Sequence, residues 1–286
     1  MKIITIELPE DHNLFLFGDD HEGSILRYKR GWNQLLHAIN SEYAGVPAEH
    51  NKGWHHGDPM EQIMVDDPRY YAPTVSEAIP TRQRDQAIEN LRPMKDHIIG
   101  ISEANHDRKL WKFGNLVEDI CKNLGIHFGT MTTKLIVNDL KGRLMYKAFL
   151  SHGKQPIKST ADDPQRRKTN MELILKRHLK FKMGDCAIMT KGHTHKLLVC
   201  KPVSELYITD DGNKIKQSYT MDRADHTLDF IHYDNRWYVN TGSFLRLYGH
   251  NVSGYGEAAE YDPIQLGFAV ARVRNRKIIG IDKVYV

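Results

Sequence analysis

Along this chain a short apolar segment repeatedly stops, and an Asp, Asn or His follows at once. Asn13–Phe17 (NLFLF) runs into Gly18-Asp19-Asp20-His21, and Asp96–Ile101 (DHIIGI) into Glu103-Ala104-Asn105-His106-Asp107. Leu144–Leu150 ends at Ser151-His152-Gly153, and Cys186–Met189 (CAIM) at Gly192-His193-Thr194-His195. Stretches with helical apolar spacing lie between them. These are Ile25–Ile39 behind an N-cap at Ser24, Leu110–Leu124 with Gly125 as its stop, and the basic segment Pro164–Leu179. Thr133–Val137 and Leu144–Leu150 predict a hairpin. Strands alternating with helices specify a layered α/β fold. Ligands in such folds collect at the carboxyl ends of strands, so the pattern predicts that these polar residues converge.

From Leu197 the texture changes. Short β-like segments (LLVCKPV, ELYIT, HTLDFIHY, RWYVN, SFLRLY, LGFAVARV, KIIGIDKVYV) predict a second, mostly antiparallel sheet over 197–286. No linker, low-complexity tract or repeat divides the 286 residues, so the reading is one domain, 1–286, with two packed sheets. Residues 60–95, with the charged run RQRDQAIENLRPMKD, read as a helical insertion near the cleft. No stretch approaches the roughly 18 apolar residues of a membrane span, and the N-terminus lacks the pattern of a secretory signal. Cys121, Cys186 and Cys200 are few and far apart, which suits reduced thiols in a cytoplasm. The net charge of +4 permits a phosphate-bearing partner without requiring one.

The strand-end groups are Asp19-x-His21, Gly57-Asp58, Asn105-His106-Asp107, His152 and Gly192-His193-x-His195. Mixed oxygen and nitrogen donors without thiolate suit a borderline divalent ion and not a Cys-rich structural zinc site. In an extended segment, residues i and i+2 face the same way. That selects Asp19 with His21, leaves Asp20 pointing elsewhere, and lets His193 and His195 share a face. His55 and His56 read as structural or cleft-wall residues. The bland alternative is a set of solvated turn residues among the 16 histidines.

Taken in order, GDDH (18–21), GD (57–58), ANHD (104–107), SHG (151–153) and GHTH (192–195) resemble the blocks of calcineurin-like metallophosphoesterases of bacterial and phage type. NTGSFLR (240–246) resembles a strand that often follows them. The resemblance implies a four-layer α/β/β/α sandwich of two mixed sheets flanked by helices, with two divalent ions at the strand ends. One ion would take Asp19, His21 and His195; the other Asn105, His152 and His193; Asp58 would bridge them. Mn²⁺ leads the candidate ions, with Fe²⁺, Zn²⁺, Ni²⁺ and Co²⁺ as alternatives. His106 would protonate the leaving oxygen or stabilise charge on the phosphate, and Asp107 would orient its ring. The implied reaction is attack of a metal-bridging hydroxide on phosphorus. The third block carries Ala104 where the family has glycine, which fits if the backbone there avoids positive φ. The segment before Gly57-Asp58, AEHNKGWHH, is polar where a buried strand is expected, and Asp66 and Asp67 are the alternatives to Asp58.

The blocks imply a reaction and not a substrate. RRK (166–168), KRHLKFK (176–182) and RVRNRK (272–277) are either a solvated face or a track for a phosphate backbone. The leading expectation is a phosphodiesterase or nuclease acting on DNA, RNA or nucleotides. The alternatives are a phosphomonoesterase for phosphoproteins or small metabolites, and a non-catalytic metal-bound scaffold. A cytoplasmic location is expected, in the host if the chain is phage-encoded.

Overall fold

The computed structural model describes residues 1–223 and 225–286, and of Phe113, Asp222 and Arg223 the backbone alone. In chain order the strands are β1 (Lys2–Leu8), β2 (His12–Phe17), β3 (Asn51–His55), β4 (Ile98–Ser102), β5 (His127–Gly129), β6 (Thr132–Asp139), β7 (Leu144–Ser151) and β8 (Ile188–Lys191). They continue with β9 (Leu197–Cys200), β10 (Leu206–Asp210), β11 (Ile215–Tyr219), β12 (Trp237–Thr241), the minimal β13 (Tyr248–Gly249) and β14 (Val252–Ser253), then β15 (Gly267–Arg274) and β16 (Lys277–Tyr285). The helices are α1 (Lys29–Ile39), α2 (Pro80–Leu91), α3 (Asn105–Lys109), α4 (Leu116–Leu124), α5 (Pro164–Leu179) and α6 (Tyr255–Ala258).

Two six-stranded mixed sheets dominate, ordered β1-β6-β7-β8-β12-β9 and β16-β15-β2-β3-β4-β5. Alternation along each strand decides what fills the space on its two faces. On β2, Leu14 and Leu16 join a core shared with Tyr146, Ala148, Ile188 and Val239 of the other sheet. Phe15 and Phe17 point the opposite way, into a core with Trp32, Leu35, Ile88 and Ile120 from α1, α2 and α4. On the first sheet, Phe149, Met189, Leu198 and Tyr238 face Leu175 and Leu179 of α5. Leu14, Phe15, Leu16 and Phe17 have no exposure, and burying each stabilises by about 1.5–3 kcal/mol. A one-residue slip of β2 would exchange its two faces, so burial on both sides fixes where β2 ends.

Several expected boundaries move. α1 starts at Lys29 and not near Ile25, because residues 24–28 bridge sideways to Val75 and Leu245. Leu110–Leu124 is broken at Gly114 (φ 95°), and α4 begins behind Asn115, whose side chain accepts from Glu118 N. Gly125 ends α4 in the left-handed conformation, and α5 spans the expected residues behind an Asp163 cap. The polar segment before Gly57 does form a buried strand, β3, because Asn51 bonds to Ile39 O and Ser41 O.

Residues 197–286 do not make a separate second sheet. β9 and β12 complete the first sheet, while β15 and β16 extend the sheet that begins with β2. The segment 226–233 is not a strand: it lies without a ladder partner and exposes Leu228 and Phe230. The 60–95 insertion is helical only from Pro80, and 60–79 is irregular apart from the short turn Ala72–Thr74. Among the described residues, no helix is long and apolar enough to cross a membrane.

Candidate metal centre

β2, β3 and β4 run parallel side by side in one sheet, and β7 and β8 run parallel in the other. Their carboxyl ends carry Asp19 and His21, Asp58, Asn105, His152, and His193 with His195. The structure brings Asp19, His21 and His195 together, with one ligand-type atom from each within 4.8 Å of the others. It brings Asp58, His152 and His193 together by the same measure. Asn105 joins the second trio, since its Oδ1 lies 2.9 Å from His152 Nε2, which is itself 3.2 Å from Asp58 Oδ2. Asp67 is tied to Arg69 and Lys109, and Asp66 lies near Lys112 on the surface, so neither takes Asp58's place.

The backbone here is held in an unusual state. Asp19, His21, Asp58, His193 and His195 all have φ between 52° and 69°. Non-glycine residues rarely adopt left-handed backbone, which costs about 1–3 kcal/mol each, and such strain clusters at functional sites. The surroundings enforce it. Asp19 N donates to Gly57 O, and Phe244 N and Ser243 Oγ both donate to Asp19 O. The NTGSFLR stretch therefore acts here by gripping Asp19, and Asn240 Nδ2 donates to Thr194 Oγ1 within the GHTH loop. Gly57 (φ 102°) sits so close that a Cβ would lie 2.9 Å from His152 Nδ1. Ala104, at φ −120°, needs no glycine.

The donor set asks for cations. His21 Nε2 and His195 Nε2 face each other at 3.2 Å, and His195 Nε2 is 3.5 Å from Asp19 Oδ1. At most one proton fits between two such nitrogens. Asp19 Oδ1 and Asp58 Oδ1 are buried with no hydrogen-bond partner. Orphaned carboxylate oxygens in a desolvated site are costly, and a divalent ion among these atoms would remove the cost. Divalent metal ions therefore fit the residues present.

The ionisation of the centre points the same way. Burial would raise the Asp19 carboxyl, but the His195 imidazole outweighs it and holds the group at about 2. Asp58 is held well below the usual range, against burial, by His106 and His152. Burial lowers His21, yet Glu61 overrides it and lifts the ring to about 9; Asp58 does the same for His152, also to about 9. His193 is pushed down to about 4 by burial and by His152.

Supporting residues hold the rings. Glu61 Oε2 lies 2.8 Å from His21 Nδ1, as an ion-pair contact out of line for a hydrogen bond. His152 Nδ1 bonds to His56 O at 2.8 Å, which fixes its tautomer so that Nε2 faces the centre. His56 anchors on Thr190 Oγ1, and His55 pairs with Asp20 Oδ1, so both are structural and Asp20 points away from the centre.

His106 lies next to the centre, its ring centroid 5.8 Å from that of His21. Asp107 does not orient it, contrary to expectation. Asp107 sits in the first turn of α3, where Oδ2 accepts from Ala104 N (2.6 Å) and Oδ1 from Gln62 Nε2 (2.7 Å). A carboxylate there reaches back to the helix start, and burial and the Asp58 charge raise it to about 7. The ring is held instead by Glu61 O, 3.1 Å from Nδ1, and by Arg69 Nη1, 3.0 Å from Nε2. A guanidinium only donates, so Nε2 accepts and Nδ1 carries the proton. Burial, with the charges of His21 and Arg69, lowers this imidazole against the pull of Asp58. Glu61 and Arg69 were not foreseen, because they lie in an aperiodic loop with no motif of its own.

No protein-family model matches the chain, and no curated protein matches it. A solved structure from Streptococcus pneumoniae, described as a conserved uncharacterized protein and predicted phosphoesterase, aligns over 96% of this chain and 98% of its own. The identity is 11% and the TM-score 0.29, a likeness that carries no argument.

Proposed function

We propose that the chain is a two-metal phosphoester hydrolase of the calcineurin-like metallophosphoesterase type, acting on phosphodiesters of nucleic acid or nucleotides. The observation that carries this reading is the facing of His21 Nε2 and His195 Nε2 at 3.2 Å beside Asp19, next to a second trio around Asp58. The three cores (helices on sheet, sheet on sheet, sheet on α5) support the four-layer α/β/β/α arrangement as part of the same reading.

Asp19, His21 and His195 would hold one ion, Asn105, His152 and His193 the other, and Asp58 would lie between them. Asp58 has a free Oδ1, and its charge acts on His21 as well as His152. When bound, two divalent ions, Mn²⁺ first among them, polarise phosphoryl oxygens and acidify water. The chain's own groups do the rest. Arg69, clamped by Asp67 through Nε and Nη2, points Nη1 at His106 Nε2. A phosphoryl oxygen taking that place would accept from the guanidinium. His106, held at Nδ1 by Glu61 O, would present Nε2 to the leaving oxygen and pass it a proton taken up from solvent.

The test is a substrate panel with Mn²⁺. Bis(p-nitrophenyl) phosphate and single-stranded DNA should be hydrolysed, and His106→Ala should keep both ions while losing roughly 10²–10⁴ in rate. Turnover of monoesters alone removes the diester part of the reading. No turnover with any divalent ion removes the hydrolase.

A further inference from the structure

The two flanks of the centre differ in how far their cations are paired. On the α2–α4 side Arg84 pairs with Asp85 and Asp119, Arg92 with Glu89, Arg108 with Glu103 and Lys122 with Glu118, while Arg82 and Lys95 have no carboxylate partner among the described residues. On the α5 side, among the described residues, Arg166, Lys168, Lys176, Arg177 and Lys180 have no carboxylate partner. The one acid within α5 is Glu172, and Asp163 before it is occupied in capping Arg166 N. Self-repelling charge of this kind destabilises a fold, so it invites a counter-charge from outside.

The geometry gives that charge a direction. Leu175 and Leu179 are buried against Met189, Leu198 and Tyr238, which leaves the opposite side of α5 to solvent. Arg166 and Arg177 are eleven residues apart, three turns, and stack on that side, flanked by half-buried Lys176 and Lys180, the latter with its ammonium over the Phe181 and Tyr233 rings. From Arg166 to Lys180 the helix rises roughly 21 Å at 1.5 Å per residue. That is the axial span of about six phosphates on one strand of a duplex, at about 3.4 Å of helix axis each. α5 rests on β8 and β9, whose facing ends carry His193 and His195. Lys196, the residue after His195, lies in the fields of Asp262, Lys158 and Arg167.

We infer that the solvent face of α5, running from the Arg166 end toward Lys180, is a track for the sugar–phosphate backbone of nucleic acid, delivering a strand to the metal centre. The inference deepens the phosphodiesterase reading and rests on it for the last step alone. Contacts of this kind position a strand without reading its sequence. Binding is therefore indifferent to sequence and steeply salt-dependent.

The test uses metal-loaded protein and a fluorescent phosphorothioate single strand, which keeps the backbone charge and resists cleavage. Affinity is followed by anisotropy between about 50 and 200 mM salt. Arg166→Gln/Lys176→Gln/Arg177→Gln should lower the slope of log affinity against log salt by about two, at roughly 0.7 per cation removed from a single-strand contact. It should melt with the parent and hydrolyse bis(p-nitrophenyl) phosphate at the parent rate. Arg92→Gln/Lys122→Gln, on the paired flank, should leave the slope unchanged. An unchanged slope in the α5 variant overturns the track, and so does an equal drop in the paired-flank control. So does α5-dependent binding to phosphatidylserine vesicles without binding to DNA. An α5-dependent slope in a protein that hydrolyses nothing supports the track and overturns the hydrolase, so the two failures are separable.

Discussion

The first trio, Asp19, His21 and His195, and the second, Asp58, His152 and His193, are built from the same side chains and braced by different means. His21 is backed by a carboxylate, Glu61, that arrives from the 59–79 loop. His152 is backed by a main-chain carbonyl, His56 O, at the end of β3. A carboxylate adds charge and is tunable by substitution. A carbonyl adds none and moves only with the strand. The first position is therefore electrostatically adjustable, while the second is a mechanical consequence of how β3 and β7 end. A group that holds a metal-binding ring from behind is worth about 10–100-fold in metal affinity, so the difference has measurable consequences.

The largest effect is expected where the trios meet. Asp58 is 3.2 Å from His152, and its charge reaches His21 and His106. Asp58→Asn should lower the content of both ions together, measured by elemental analysis after dialysis, and should weaken binding by more than the roughly 10–100-fold of a supporting residue. Loss of one ion with full retention of the other would assign Asp58 to a single trio and undo the bridging role.

Next come the braces themselves. Glu61→Gln keeps shape and removes charge beside His21. It should weaken one ion by roughly 10–100-fold and leave the other unaffected. Gly57→Ala should do the reverse. Its Cβ would meet Ala104 Cβ at 2.8 Å and His152 Nδ1 at 2.9 Å, on a backbone at φ 102°. The strain costs about 1–3 kcal/mol and displaces His152 from His56 O. Titration calorimetry that finds both ions weakened equally by either variant would erase the distinction between the two braces.

How much of this could be read from residues alone follows the same division. The polar groups at strand ends other than Asp58 are visible because apolar runs stop abruptly before them. Asp58 follows a polar segment and is placed by the order of the blocks alone. The α5 boundaries are visible because cap and spacing agree. The braces are not. Glu61 and Arg69 sit in an irregular loop whose path depends on long-range bonds such as Glu61 N to Glu22 O. The His56 carbonyl has no side-chain signature at all. The Asp107 carboxylate is taken up by Ala104 N and Gln62 Nε2, and the His106 ring by Glu61 O, so adjacency in sequence does not give a contact between the two. Residues 226–233 have strand composition but meet no free edge, and composition alone cannot supply a partner.

The smallest effect concerns the alanine that stands against the second brace. Ala104 is fully buried at φ −120°, so glycine gains no needed conformation there. Ala104→Gly removes one methyl, at about 0.8 kcal/mol, and an N-cap glycine returns part of this relative to alanine. Alone it should shift the melting temperature by a few degrees at most and leave both ions bound. Its value lies in combination with Gly57→Ala. Removing the Ala104 methyl relieves the 2.8 Å contact but not those with His152 Nδ1 and Ser102 O, at 2.9 and 3.1 Å. In a double-mutant cycle the pair should therefore recover part of the stability lost by Gly57→Ala and little of the second ion's affinity. Full recovery of that affinity would show that the methyl clash, and not the displacement of His152, is what the second position feels.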